Sequence, residues 1–202
     1  EISFSEIFSI DQMIEQFNLD GINKSASAFD QEKLLWLNQH YIHEAPLEEL
    51  AEHARPYFAK AGLHIKDEEK FRLVVGAQRT RVKTLVEIVE KSAPFYGPFL
   101  GHDESAAKKH LRGIVLEPLE DIRELLREQN PWTAAELHTL VETVASRSNM
   151  KLGKVAQPLR VAVTGVAASP GIDVTLFLIG REECLKRLDL ALAYIKNRVQ
   201  SA

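Results

Sequence analysis

Arg160 precedes Ser169, Pro170 and Gly171 in the stretch "KLGKVAQPLRVAVTGVAASPGIDV", residues 151–174. The stretch also holds Lys151 and Lys154, and it contains no Asp or Glu before Asp173. These residue types suit recognition better than bond-making. An arginine offers a planar fork of donors that matches phosphates and base edges. A Pro-Gly corner presses an apolar edge and bare backbone groups against whatever approaches it. Splayed single-stranded RNA bases are read in that way, by stacking and by hydrogen bonds to their edges.

Residues for catalysis are missing from the usual patterns. Gly153-Lys154 is followed by Val155, so it does not form a phosphate loop, and no GxGxxG, HExxH or nucleophile elbow occurs. His40, His43 and Glu44 could share a helix face and bind a metal, but no further ligand lies nearby and they read as a solvated helix end. Cys184 reads as a packing thiol rather than a nucleophile. The remaining carboxylates fall at helix-surface spacings. With no self-contained active site, the chain reads as a binding module.

Composition sets the frame for such a module. The chain has 202 residues, 45% apolar and 27% charged, enough for a core in one large domain or two small ones. A single cysteine excludes a disulfide framework and a cysteine-based zinc site, and fits a reducing cytosol. No apolar run approaches the roughly 18 residues of a membrane span. The opening "EISFSEIFSIDQM" has neither a basic segment nor an apolar core, so it does not read as a secretory signal. It lacks an initiator Met and reads as cut from a longer chain.

The net charge is −4, but it is unevenly placed. Asp103 to Glu142 holds nine acids and five Lys or Arg, whereas Arg147 to Ala202 holds nine Lys or Arg and four acids. A second basic cluster, Arg79, Arg81 and Lys83, lies off an apolar stripe and should face outward. Each cluster alone is ordinary solvated surface. Two in an acidic protein, one beside a rigid corner, point to a polyanion.

The elements that must position these residues are helical almost throughout. Ser9 and Gln12 have capping-box spacing before "IDQMIEQF", "DGINKSASAF" reads as a loop, and Asp30 caps "QEKLLWLNQHYI". Pro46 suits the first turn of the next helix, Pro56 should end or kink it, and Gly62 should stop it. The longest helix is expected over "KDEEKFRLVVGAQRTRVKTLVEIVEKS", with Phe71, Val74, Val75, Gln78, Val82, Leu85, Val86 and Val89 as its buried stripe. Pro94, Gly97 and Pro98 then break the chain, and two helical parts are expected to meet near Gly97–His102. Pro118 should interrupt between a short helix and a longer one. Thr133 with Glu136 opens another helix, and Gly180 separates the last two. "LRVAVTG" is ambiguous: Leu159, Val161 and Val163 alternate as in a strand, while Pro158 suits the first turn of a helix.

Several of these segments resemble bacterial glutamyl-tRNA synthetases in their C-terminal region. They are "PLRVAVTG" followed by "SPGIDV" and "IGREECLKRLDLALAYI", together with "NKSASAFDQEKLLWLNQHYI", "AAKKHLR" and "WTAAELH". The resemblance runs over essentially the whole chain, with the motifs in order. The family's HIGH-like and KMSKS-like ATP motifs are absent. The resemblance implies an all-α helical bundle or cage in two parts, and hence a helix over Leu159–Thr164. Residues 1–45 would be the end of a stem-contact region, 46–100 a first anticodon-binding part and 101–202 a second. It implies a cytoplasmic protein whose partner is tRNA(Glu), with neither DNA nor membrane, and a monomeric parent that ligates glutamate to tRNA(Glu) with ATP and magnesium. It also assigns the anticodon readers: Arg160, Ser169, Pro170 and Ile172, with Arg81 for the last anticodon base and Arg79 as its competitor. Lys151, Lys154 and Arg187 are expected to meet the tRNA backbone. A helical protein-interaction scaffold, binding a partner through its basic C-terminal face, is the alternative.

Overall fold

The computed structural model describes residues 7–19 and 28–200. Among them every regular element is helical. In chain order these are α1 (Ile10–Gln16), α2 (Gln31–Glu44), α3 (Leu47–Lys60), α4 (Glu68–Arg79), α5 (Leu85–Tyr96) and α6 (Glu104–His110). A 3-10 turn over Gly113–Val115 follows, then α7 (Leu116–Glu128), α8 (Ala134–Arg147), α9 (Leu152–Thr164), α10 (Ile172–Ile179) and α11 (Arg181–Gln200). The all-α expectation holds, and Leu159–Thr164 is helical. The expected loop around residue 20 lies largely outside the described residues.

The start signals act as their chemistry requires. Ser9 and Gln12 form the full reciprocal capping box, and the side chains of Asp30, Asp67, Asp103 and Thr133 each accept from a backbone N–H in the first turn of their helices. Three expectations about prolines fail. Pro56 lies inside α3, which continues to Lys60 because Leu50, Ala51, Ala54 and Phe58 bury one face on both sides of it. That burial outweighs the roughly 3 kcal/mol a helix-interior proline costs. Pro158, expected in the first turn of a helix, sits in the middle of α9, flanked by Val155, Leu159, Val161 and Val163 with no exposed surface. Pro118 falls in the first turn of α7 rather than between helices.

The expected long helix is in fact two. Thr84 begins α5 by accepting from the Glu87 N–H at 3.2 Å, while Glu87 accepts from the Lys83 N–H at 2.9 Å. The stripe therefore breaks: Val82 stays buried in the turn, and Val86 is exposed. The break puts Arg81 on an outward corner instead of a helix flank.

Two apolar clusters form. One joins α3, α4 and α5 through Leu50, Phe58, Phe71 and Ile88, with the Phe58 and Phe71 rings edge to face at 5.1 Å between centroids. The other packs α7, α8, α9, α10 and α11, and takes in Val74 and Phe95 from α4 and α5. Tyr96 touches both clusters.

The seam is held by Arg187, expected at the surface and found 3% exposed. Its Nη1 donates to the carbonyls of Pro94 (2.9 Å) and Val163 (2.7 Å), its Nε to Glu183 (2.8 Å), and its plane lies over Phe99. Beside it, Gly165 ends α9 with φ +80, and the Asp103 N–H donates to its carbonyl. A Cβ on Gly165 would lie 2.4 Å from the Gly101 carbonyl oxygen, so only glycine fits without moving the linker.

Arg187→Met should destabilise the fold by about 3 kcal/mol, since buried carbonyls lose their donor; an unchanged urea midpoint would show the seam held by packing alone. His102, half-buried with Phe99 and Tyr194 against it, has its pKa lowered by burial, partly opposed by the bond to the Ala162 carbonyl. The unfolded chain therefore takes up this proton first. Stability should fall as pH drops from about 6.5 through the lowered value, and less steeply in His102→Gln. Melting curves between pH 7.5 and pH 5 for the two proteins measure this, and identical slopes would remove His102 from the account.

Candidate nucleic-acid interface

The Pro-Gly corner leads into α10, whose N-cap is Gly171, and packs against α9. Arg160 is half-buried against it and held at three points. Its Nε donates to Ser169 Oγ (2.9 Å), Nη1 to Gln157 Oε1 (2.5 Å) and Nη2 to the Pro170 carbonyl (3.3 Å). Ser169 is buried and also bonds Thr175 Oγ1 at 2.9 Å. Its hydroxyl is therefore engaged inside the protein and acts by fixing the guanidinium. Ile172, expected to offer an apolar edge, is 6% exposed and packs into the core. It supports the corner from beneath. Gly171 keeps its backbone open; a Cβ there would meet Asp173 Oδ1 at 2.5 Å.

Arg81 lies across from this corner. It shares a groove of about 470 Å³ with Thr80, Pro170, Gly171 and Val174, floored by Leu47, Leu73 and Gly76. The groove depends on α4 lying close to α3 at Gly76, where a Cβ would touch Leu47 at 3.4 Å. Among the described residues the Arg81 guanidinium has no hydrogen-bond or ion-pair partner. Burial lowers the pKa of Arg160, with the positive charge of Arg81 adding to the effect and Asp173 opposing it. Two guanidinium groups thus converge on one rigid corner, with Asp173 only partly offsetting their like charge.

Arg79 is occupied elsewhere. Its Nη2 donates to the carbonyls of His43 and Ala45 (2.8 Å to the latter), binding the end of α2 to α4. Arg187 is the seam residue described above and has no face toward solvent, so the expectation that it meets a phosphate is withdrawn. Lys151 and Lys154 are exposed at the start of α9, away from the groove. The His40 ring lies against Trp36 and Tyr41, and His43 Nδ1 is 3.3 Å from Glu44. Cys184 is buried, with its thiol pushed up to about 12 by burial. Sequence reasoning missed Gln157, although it lies three residues before Arg160 on the same helix face.

Arg79→Ala should cost about 1–3 kcal/mol of stability, because carbonyls at the end of α2 lose their donor. Arg81→Ala should leave the melting temperature unchanged. Equal losses in the two variants would mean that Arg81 is a structural residue as well.

The anticodon-binding domain model matches residues 49–192. Glutamate–tRNA ligase 1 of Nitrosococcus oceani is 46% identical over 193 residues, covering 96% of this chain and 41% of that protein. The crystal structure of a glutamate tRNA ligase from Elizabethkingia meningosepticum in complex with its amino acid has a similar fold. Its TM-score is 0.87 and its identity 24%, over 95% of this chain and 38% of that one. A glutamate–tRNA synthetase from Elizabethkingia anophelis gives a TM-score of 0.83 at 24% identity, over 94% of this chain and 37% of that one. The chain therefore spans less than half the length of the relatives it matches. By the family model, which covers most of its length, it belongs to the anticodon-binding domain family.

Proposed function

We propose that this chain is the anticodon-reading region of a glutamate–tRNA ligase and that its partner is tRNA(Glu). The observation that carries the reading is the convergence of Arg160 and Arg81 on the Pro170–Gly171 corner. An arginine has five N–H groups. Three of those on Arg160 are used internally, which leaves two in a fixed direction for the edge of a base. Arg81, unpartnered, reads the last anticodon base from the other side of the groove. A base seated there brings acceptor atoms to both guanidinium groups and relieves their mutual repulsion. Lys151 and Lys154 meet the phosphate backbone.

In this reading residues 46–100 and 101–202 are two anticodon-binding parts, and residues up to 45 end a stem-contact region. The two apolar clusters support the division, and the seam at Arg187 keeps the parts in register. Adenylate chemistry with ATP and magnesium would belong to the rest of a parent ligase. The family's HIGH-like and KMSKS-like ATP motifs do not occur in this sequence. A cytoplasmic setting fits the reading, and no helix among the described residues is long and apolar enough to cross a membrane.

The test is a binding series of wild type, Arg160→Ala, Arg81→Ala and Lys154→Ala against tRNA(Glu) and a version with the last anticodon base changed. Arg81→Ala should lose about 1–3 kcal/mol on the first RNA and little on the second. Lys154→Ala should weaken both alike and reduce the salt slope. Failure of the wild-type chain to distinguish the two RNAs would sink the reading. Salt-insensitive binding would favour a protein-interaction scaffold. The chain alone should form no glutamyl-tRNA, and detection of that product would place an adenylate site within it.

A further inference from the structure

A second opening lies at the other end of α9 from Gly165. It is a cleft of about 1000 Å³ between the first turn of α9, the α8–α9 junction and the 3-10 turn after α6. Four cations rim it, Lys109, Arg112, Lys151 and Lys154, and no Asp or Glu lines it. None of the four has an ion-pair or hydrogen-bond partner for its side chain among the described residues. Other exposed cations do find acids, Lys108 with Glu104, Lys196 with Glu120, and Arg55 with both Glu52 and Glu68, whereas the cleft gathers four without one. The first turn of α9 adds to the same field. It has no side-chain cap and no acid, so its positive dipole end is left uncompensated.

The walls are apolar. Ile114 is 74% exposed, and Met150 lies beside it. A bare phosphate has no use for such a floor, and an apolar small molecule has no use for four unpaired cations. A single-stranded nucleotide uses both, because it carries a flat apolar base on an anionic backbone. Gln157 links the cleft to the reading arginine. It lines the cleft, accepts from Arg160 Nη1 at 2.5 Å, and donates through Nε2 to the Ala167 carbonyl at 2.7 Å.

We propose that this cleft takes a second unpaired nucleotide of the same RNA, with its base on Ile114 and Met150 and its phosphate among Lys109, Arg112, Lys151 and Lys154. The proposal rests on the anticodon reading and adds a site beyond the groove. It makes Gln157 the partition between two neighbouring bases and turns Lys109 and Arg112, two cations of the acidic stretch from Asp103 to Glu142, into RNA contacts.

Gly153 allows a clean block. Nothing lies within 4 Å of a Cβ built on it, so a side chain there points into open space at the cleft. The experiment uses the 202-residue chain and tRNA(Glu) transcripts carrying 4-thiouridine at single anticodon-loop positions. Irradiation should cross-link one position to a peptide within 109–115 or 149–154. Gly153→Phe should abolish that cross-link while Gly153→Ala retains it, both with wild-type melting temperatures. Lys109→Ala combined with Arg112→Ala should lower the logarithmic salt slope by up to about 0.7, the increment for one single-stranded phosphate contact. Cross-links confined to the Pro170 corner and the Arg81 groove, undisturbed by Gly153→Phe, would overturn the cleft and leave the anticodon reading standing. An absence of tRNA binding by the wild-type chain would overturn both.

Discussion

A single buried guanidinium sets the geometry on which the other contacts depend. Arg187 reaches from α11 to the carbonyl of Pro94 at the end of α5 and to that of Val163 at the end of α9, under the ring of Phe99. Its charge is balanced by Glu183 one turn earlier. Taking such a group out of water is costly unless its donors are matched, and here carbonyls from two distant segments match them. The same spot carries the Gly165–Gly101 approach and the bond from Asp103 to Gly165. The last turn of α9 and the linker between the two apolar clusters thus have one relative position. Arg160 lies one turn before that end and Arg81 just after α4, so Arg187, together with Val74 and Phe95 packed into the second cluster, fixes the spacing of the two guanidinium groups.

The arginines divide by what lies within their reach. Arg79, Arg181, Arg187 and Arg198 each donate to backbone carbonyls at helix ends or junctions, and so serve as caps and ties. Arg160 gives part of its fork to the protein and keeps part free. Arg81 gives none of its guanidinium to the described residues. A count of positive charge along the chain treats all six alike. Their roles come from the local supply of unpaired carbonyls, which helix ends provide and helix flanks do not.

Much of this was legible in the sequence, for definable reasons. Ser9, Asp30 and Thr133 act locally, over three residues, so their spacing announced helix starts that formed as expected. The corner at Pro170 was legible for the same reason. What failed depended on tertiary burial. Pro56 read as a breaker, and Pro158 as the first turn of a helix, because the sequence does not show how much apolar surface the surrounding turns bury. The division of α4 from α5 turned on the bonds of Thr84 and Glu87, hidden inside an apolar period that looked continuous. Arg187 was misread as surface, although Cys184, Leu188, Ala191, Leu192 and Ile195 place it on the buried face of α11. Ser169 and Ile172 belong to the Pro170 corner but point into the protein.

The three internal bonds of Arg160 have a thermodynamic consequence. A free arginine loses roughly 2 kcal/mol of rotamer entropy when a complex immobilises it. Here Gln157, Ser169 and Pro170 order the guanidinium while the chain folds, ahead of the RNA encounter proposed for it. The ordering belongs to folding rather than to encounter, so the opposing entropy of association is smaller and more of the contact enthalpy survives as affinity. A site built in this way recognises by being already in place.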